Sequence, residues 1–274
     1  AIDISDGRQA DIWIYEWARE TSMRLTFDST TEFGPVWTPD GQRIVYNSTR
    51  GGPNNLYWQR SDGTGEVQRL TQNKNSQLPG SWHPSGKYLA FQESNPQTQN
   101  DLLILPMDGS ETSGWKPGKP TVFLNTPANE QQPIFSPDGQ WIAYQSNDSG
   151  RVETFVRPFP GPGGKWQIST SGGFDPAWSR NRRELFYRAA DGRIMVVSYS
   201  VEGNSFKAEK PRVWSERAIL GRPRLRAFDL HPDGERFAVA ASPEPQTETK
   251  QDKIVFIFNF FDELRRIAPI GKRP

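Results

Sequence analysis

A ten-residue stretch recurs five times in this chain: WTPDGQRIVY at 37–46, WHPSGKYLAF at 82–91, FSPDGQWIAY at 135–144, WSRNRRELFY at 178–187 and LHPDGERFAV at 230–239. Each copy sets an aromatic or apolar residue and a small polar one ahead of a Pro-Asp-Gly tripeptide or a variant of it. Pro presets φ for a tight turn, Asp bonds to its own backbone there, and Gly accepts positive φ at no steric cost. An alternating run follows, as in Ile44, Val45 and Tyr46, and period two with branched and aromatic residues reads as a strand. Each copy is therefore strand, tight turn, strand. Measured at Pro39, Pro84, Pro137, Arg180 and Pro232, the spacings are 45, 53, 43 and 52 residues. A period of that size filled only with strand signals predicts a repeat array of four-stranded β-propeller blades.

The rest of the chain falls between these copies. DIWIYEW and MRLTF precede the first, NLYWQRSDG and VQRLT follow it, and comparable pairs follow the others, ending in KIVFIFN and DELRRIAP. The reading is a single all-β domain, a six-bladed propeller of antiparallel four-stranded blades at about 1–27, 35–71, 80–124, 133–169, 176–215 and 226–268. AIDIS reads as the end of a second strand whose preceding turn is absent, so the first blade lacks its inner strand. Unpaired strand edges invite pairing, which makes a contact with another chain at this blade one expectation. The Arg180-Asn181-Arg182 turn has lost both Pro and Gly. A left-handed non-Gly residue there costs roughly 1 kcal/mol, so a different turn is expected.

Bulk properties bound the function. A net charge of +1 on 274 residues implies neither nucleic acid nor an anionic membrane as partner. No apolar run reaches the length of a membrane span, so no membrane insertion by this chain is expected. The absence of cysteine removes disulfides, thiol nucleophiles and thiolate metal sites. The segment has no initiating Met and no leader-like start, and reads as a mature or excised piece. The two histidines, His83 and His231, precede turn residues where other copies hold Thr38, Ser136 or Ser179, so both are read as local hydrogen-bonding residues. No nucleophile elbow, Walker loop or zinc motif occurs. Asp28, Glu32, Asp148 and Asp175 stand outside any EF-hand pattern. No cofactor is expected, with calcium in the channel or loops as the alternative.

The pattern W-S-P-D-G, a strand ending in Tyr or Phe, a D-[IL]-Y-like strand and then R-L-T resembles the TolB-type (PD40) propeller repeat, over essentially the whole chain. ELFYRAADGRIMVV at 184–197 and IFNFFDELRRIAP look like the propeller domains attached to bacterial serine/threonine protein kinases. The resemblance implies a WD40-like binding or sensing domain of a signalling protein, placed outside the cytoplasm, with no kinase motif of its own. Propeller geometry puts the Pro-Asp-Gly turns on one face. The more variable loops lie on the other and converge on the channel. Register assigns Glu32, Gln77, Gln131, Asp175 and Arg224 to the channel mouth, and Asn47, Glu93, Gln145 and Arg188 to the ends of second strands. The expected ligand there is a protein or a small molecule. Alternatives are a lyase or glycan-active enzyme working at the channel mouth, or the regulatory propeller of a prolyl-oligopeptidase-like hydrolase.

Overall fold

The computed structural model describes residues 1–222 and 225–239, and these are all β. Three strands, β1 (Ile2–Ser5), β2 (Ala10–Glu16) and β3 (Thr21–Arg24), form an antiparallel sheet in chain order. A four-stranded sheet follows, of β4 (Glu32–Trp37), β5 (Arg43–Ser48), β6 (Asn55–Arg60) and β7 (Gln68–Arg69). The third sheet holds β8 (Gln77–Trp82), β9 (Tyr88–Asn95), β10 (Gln99–Ser110) and β12 (Thr121–Leu124). The fourth holds β13 (Glu130–Phe135), β14 (Trp141–Ser146), β15 (Glu153–Pro158) and β16 (Trp166–Gln167). The fifth holds β17 (Phe174–Trp178), β18 (Glu184–Arg188), β19 (Ile194–Glu202) and β21 (Arg212–Ser215). Strands β22 (Phe228–Leu230) and β23 (Phe237–Val239) pair as a two-stranded sheet among the described residues. The predicted strands KIVFIFN and DELRRIAP lie outside the described residues.

Successive side chains of a central strand pack on opposite neighbours, so both of its faces are buried. In β5, Ile44 and Tyr46 join Ile12 and Leu25 in a core between the first two sheets, while Val45 joins Trp82, Leu89 and Phe91 between the second and third. In β14, Ile142 faces Ala90 and Ile104 on one side, and Trp141 and Ala143 face Trp178 and Leu185 on the other. Strands with two buried faces need apolar residues at every position, as parallel-sheet strands do. Each inner strand touches the next, β4 on β8, β8 on β13, β13 on β17 and β17 on β22. Residues of successive repeats thereby meet at blade junctions.

The repeated turn is built as its sequence requires. Thr38 Oγ donates to Asp40 Oδ1 at 2.6 Å, Gln42 N donates to the same oxygen at 3.0 Å, and Gly41 N donates to Thr38 O at 2.9 Å with φ at 69°. Gly86, Gly139 and Gly234 repeat that bond and that φ range. In the fifth sheet Arg182 N bonds instead to Ser179 Oγ at 3.3 Å, and Asn181 stands in for the turn Asp by pairing with that hydroxyl. His83 and His231 bond within their own turns, His83 to Ser85 Oγ at 2.7 Å and His231 to Asp233 at 3.0 Å.

Two features depart from the sequence reading. Third strands β10 and β19 run past their sheets into extra hairpins with β11 (Gly114–Pro117) and β20 (Ser205–Ala208). These stretches read as loops because they carry few apolar residues. Each hairpin nevertheless places one aromatic on the preceding blade, Trp115 against Trp58 and Phe206 against Trp141. The other departure is at the inner strands, which begin about three residues earlier than expected, each with a bulge.

Candidate functional site at the channel entrance

Aligned on Trp37, Trp82, Phe135 and Trp178, the first three of these inner strands open on Glu32, Gln77 and Glu130, and the equivalent residue in the fifth sheet is Gly173, just before β17. Glu32 is fully buried and accepts from Thr30 and from Ser48 Oγ at 2.8 Å. Gln77 is also buried. It accepts from Thr71 of the preceding blade and donates to Glu93 Oε2 at 2.7 Å, while Asn73 and Asn75 donate to the same carboxylate. Glu32 and Gln77 thus face the blade junctions. Gln131 stands one position further on, half-buried, and accepts from Gln145 Nε2 at 2.9 Å. The buried residue equivalent to Glu32 is Glu130, one place before Gln131, the residue that sequence reasoning assigned. Burial above all, with the charges of Asp101 and Asp148 adding and a bond from Thr126 opposing, pushes its carboxyl up to about 7.

Two residues on, the bulge places Gly34, Gln132 and Asp175 at positive φ of 66°, 54° and 54°. Glycine adopts that region freely, whereas Gln and Asp do so at a cost that the surroundings must offset. Two offsets are visible. Gln132 N donates to Gln92 Oε1 at 2.9 Å, and Asp175 N donates to Gln145 Oε1 at 3.2 Å, each acceptor lying on the preceding blade. Asn47 spans its own junction by donating to Gln77 O at 3.2 Å. The second strands therefore carry an amide at one register position (Asn47, Gln92 and Gln145, opposite Phe33, Leu78 and Gln131), and each amide ties its blade to the next. Glu93, assigned to this position from sequence, lies one residue along and serves Asn73, Asn75 and Gln77.

Arg188 occupies this register position in the fifth sheet, opposite Phe174, and breaks the pattern. Its Nε donates to buried Asp175 Oδ2 at 2.8 Å, and its guanidinium stacks over the Phe174 ring at 4.8 Å. The same guanidinium lies so close to Gly221 that a Cβ there would meet Nη2 at 2.7 Å. Gly221 begins the arginine-rich arm that leads into β22. Arg222 pairs with Asp3 of the first sheet at 2.6 Å. Leu225 reaches the bulge of the second sheet, where a Cβ on Gly34 would meet Leu225 at 3.5 Å and Leu78 at 2.8 Å. Burial pulls the Arg226 guanidinium below its ordinary value against the opposing charges of Asp229 and Asp175, and its Nη2 is buried with no hydrogen-bond partner among the described residues. Arg224 lies outside the described residues. Gly221, Arg222 and Leu225 thus lie against the fifth, first and second sheets on the face opposite the Pro-Asp-Gly turns.

Two cavities lie away from this entrance. One of about 450 Å³ is lined by Tyr88, Phe123, Phe159 and the prolines after it, and one of about 320 Å³ by Arg43, Trp58, Trp82, Glu111 and Trp115. Among the described residues no group of three or more His, Cys, Asp or Glu is placed to hold a metal ion.

Comparison with known proteins agrees with this architecture. Residues 1–114 match the PD40 family, a TolB beta propeller domain. Over 170 residues the chain is 25% identical to the uncharacterized peptidase YuxL of Bacillus subtilis, a match covering 52% of this chain and 26% of that protein. The chain therefore spans about a quarter of the length of that curated relative. TolB from Acinetobacter baumannii superposes with a TM-score of 0.54 at 17% identity, over 84% of this chain and 59% of that one. A protein assigned to TolB from Agrobacterium tumefaciens superposes with a TM-score of 0.60 at 18% identity, over 82% of this chain and 80% of that one. With the sheets, their junctions and these likenesses together, the described residues take a β-propeller fold, and residues 1–114 match the TolB beta propeller domain.

Proposed function

We propose that this propeller is a non-enzymatic binding module that engages a protein or small-molecule ligand through an anionic group at the channel entrance. The observation that carries this reading is the arm at Gly221–Arg226. It brings a buried guanidinium with an unused donor, Arg226, within electrostatic reach of Asp175, while Arg188 stacks beside it on Phe174. Arginine in such a setting favours carboxylate or phosphate oxygens. Gln131 supplies half-buried polar surface at the rim, and Arg188 lies largely covered beside it. Glu32 and Gln77 hold the blades beneath it, and Arg224 adds a further cation to the arm's sequence. A sensing role in a bacterial signalling protein accords with the kinase-type propeller resemblance.

A second reading has its own support. The matched relative YuxL carries the name of a peptidase, so the chain would serve as the regulatory propeller of a hydrolase and the entrance would admit or refuse peptide chains. Both readings are tested by photo-crosslinking in the full natural protein. A photoreactive residue is placed at Gln131 or Arg188, with Glu66 on the opposite face as control. Adducts from the first two sites and none from the third are expected for entrance binding. Adducts only at Glu66, or turnover of a glycan by the purified propeller, would contradict it. Peptide hydrolysis by the full protein that changes with Arg188→Ala would favour the second reading.

A further inference from the structure

The R-L-T signature and the residue that opens each third strand form one polar clasp. In the first sheet Arg24 Nη2 donates to Asp11 Oδ2 at 2.7 Å, Arg24 Nε donates to Thr26 O at 2.8 Å, and Ile12 N donates to Thr26 Oγ at 2.9 Å. The second sheet repeats all three bonds with Arg69, Asn55, Thr71 and Leu56 N, at 2.7, 2.8 and 3.0 Å. In the fourth sheet the opening carboxylate is Glu153. It receives Ser169, the Gly172 amide and Arg151 Nε, the last at 2.7 Å. Wherever the clasp carries a buried carboxylate in these sheets, a guanidinium neutralises it.

The third sheet breaks this rule. Its opening residue is Asp101, 5% exposed, and the position of Arg24 and Arg69 is taken by Phe123, directly before Leu124. Asp101 Oδ2 accepts from Asn95, Thr98 and Asn125, while Oδ1 is buried with no partner. Glu130, 1% exposed, sits at the same junction. Thr126, next to Asn125, bonds to its Oε1, and its Oε2 is likewise buried without a partner. Neither carboxylate has an ion pair among the described residues. A buried ion without a partner costs several kcal/mol, and two at one junction add their mutual repulsion.

We propose that a divalent cation of the calcium type binds between Asp101 Oδ1 and Glu130 Oε2, at the junction of the third and fourth blades, in the role that Arg24, Arg69 and Arg151 fill elsewhere. The donors are hard oxygens, which select calcium over zinc or copper. Two carboxylates, with carbonyl and water oxygens completing the shell, correspond to weak binding, a Kd of roughly 0.1–1 mM. The site is structural: it neutralises a blade junction and lies apart from the arm at Gly221–Arg226.

The test is thermal unfolding of the chain in EDTA and in 10 mM calcium or magnesium, with terbium luminescence sensitised by nearby Tyr144 as a second readout. Expected is a calcium-dependent rise in midpoint of about 3–5 °C, saturating near millimolar concentration, with terbium emission that calcium displaces. Asp101→Asn and Glu130→Gln each abolish both signals. Phe123→Arg, which restores the arginine of the repeat, also abolishes the calcium response and raises the midpoint in EDTA. That variant guards against the possibility that the carboxylate variants fail to fold. A calcium-insensitive wild type, in which Glu130 holds a proton instead, overturns the proposal. So does a calcium response that survives in Asp101→Asn or Phe123→Arg.

Discussion

Single residues set how closely the blades approach. Gly80 in β8 lies against Pro133 of β13, where a Cβ would meet the Pro133 ring at 2.7 Å and press on its carbonyl as well. The other blades hold Pro35, Pro133 and Pro176 at this register position, so its glycine reflects the local approach and no general rule of the repeat. Gly80→Ala is expected to destabilise by about 1–3 kcal/mol through overpacking, read as a lower denaturant midpoint with an unchanged slope. Thr71 is a sharper case. Its hydroxyl accepts from buried Leu56 N and donates to Gln77. Thr71→Val keeps the shape and orphans both groups, with an expected loss of about 1–3 kcal/mol. Faster hydrogen exchange at the Leu56 amide would locate the damage at the clasp. The sequence shows Thr71 as part of R-L-T but not what it bonds to, because the partners lie 15 residues back and 6 residues on in the chain.

At the scale of elements, the turns and alternating strands were legible because local rules dictate them. Pro-Asp-Gly makes the same turn wherever it occurs, and the branched and aromatic runs after it mark strands such as β5 and β14 whose two faces are both buried. The hairpin formed by β10 and β11 was not legible, since ETSGWKPGKP carries turn residues and one Trp. Its strand character comes from a neighbour: Trp115 lies edge-on to Trp58, and Arg43 stacks on the other ring and pairs with Glu111. Trp115→Ala is expected to cost about 1–3 kcal/mol, less than a fully buried Trp would. A red shift of tryptophan emission should accompany it as Trp58 gains water. An unshifted emission would mean that the hairpin covers nothing. The candidate site was half legible for a similar reason. Arg188 stands at the position read from register and pairs with Asp175, which lies two places beyond the equivalent of Glu32, whereas Glu130 and Gln92 each lie one residue from the positions assigned. The role of Arg226 was invisible, because its surroundings come from blades that are remote in sequence.

Across the whole molecule, a repeat protein draws its stability from neighbour-to-neighbour interfaces, and its individuality from the places where the repeat fails. Three departures matter here: the first sheet, which has three strands among the described residues, the arginine in a series of amides at Arg188, and the phenylalanine in place of the clasp arginine at Phe123. Two of these converge on the arm, whose Arg222 pairs with Asp3 and whose Leu225 lies, like Leu78, beside Gly34. The central claim is that this arm governs binding at the entrance. Because the chain has no cysteine, Leu78→Cys and Leu225→Cys can be joined cleanly by a short reversible thiol linker. Ligand or partner binding to the full protein is then compared before linking, after linking and after release. The pair is expected to link efficiently in the folded protein, with binding lost on linking and restored on release. Failure to link, or binding that linking leaves unchanged, would contradict it.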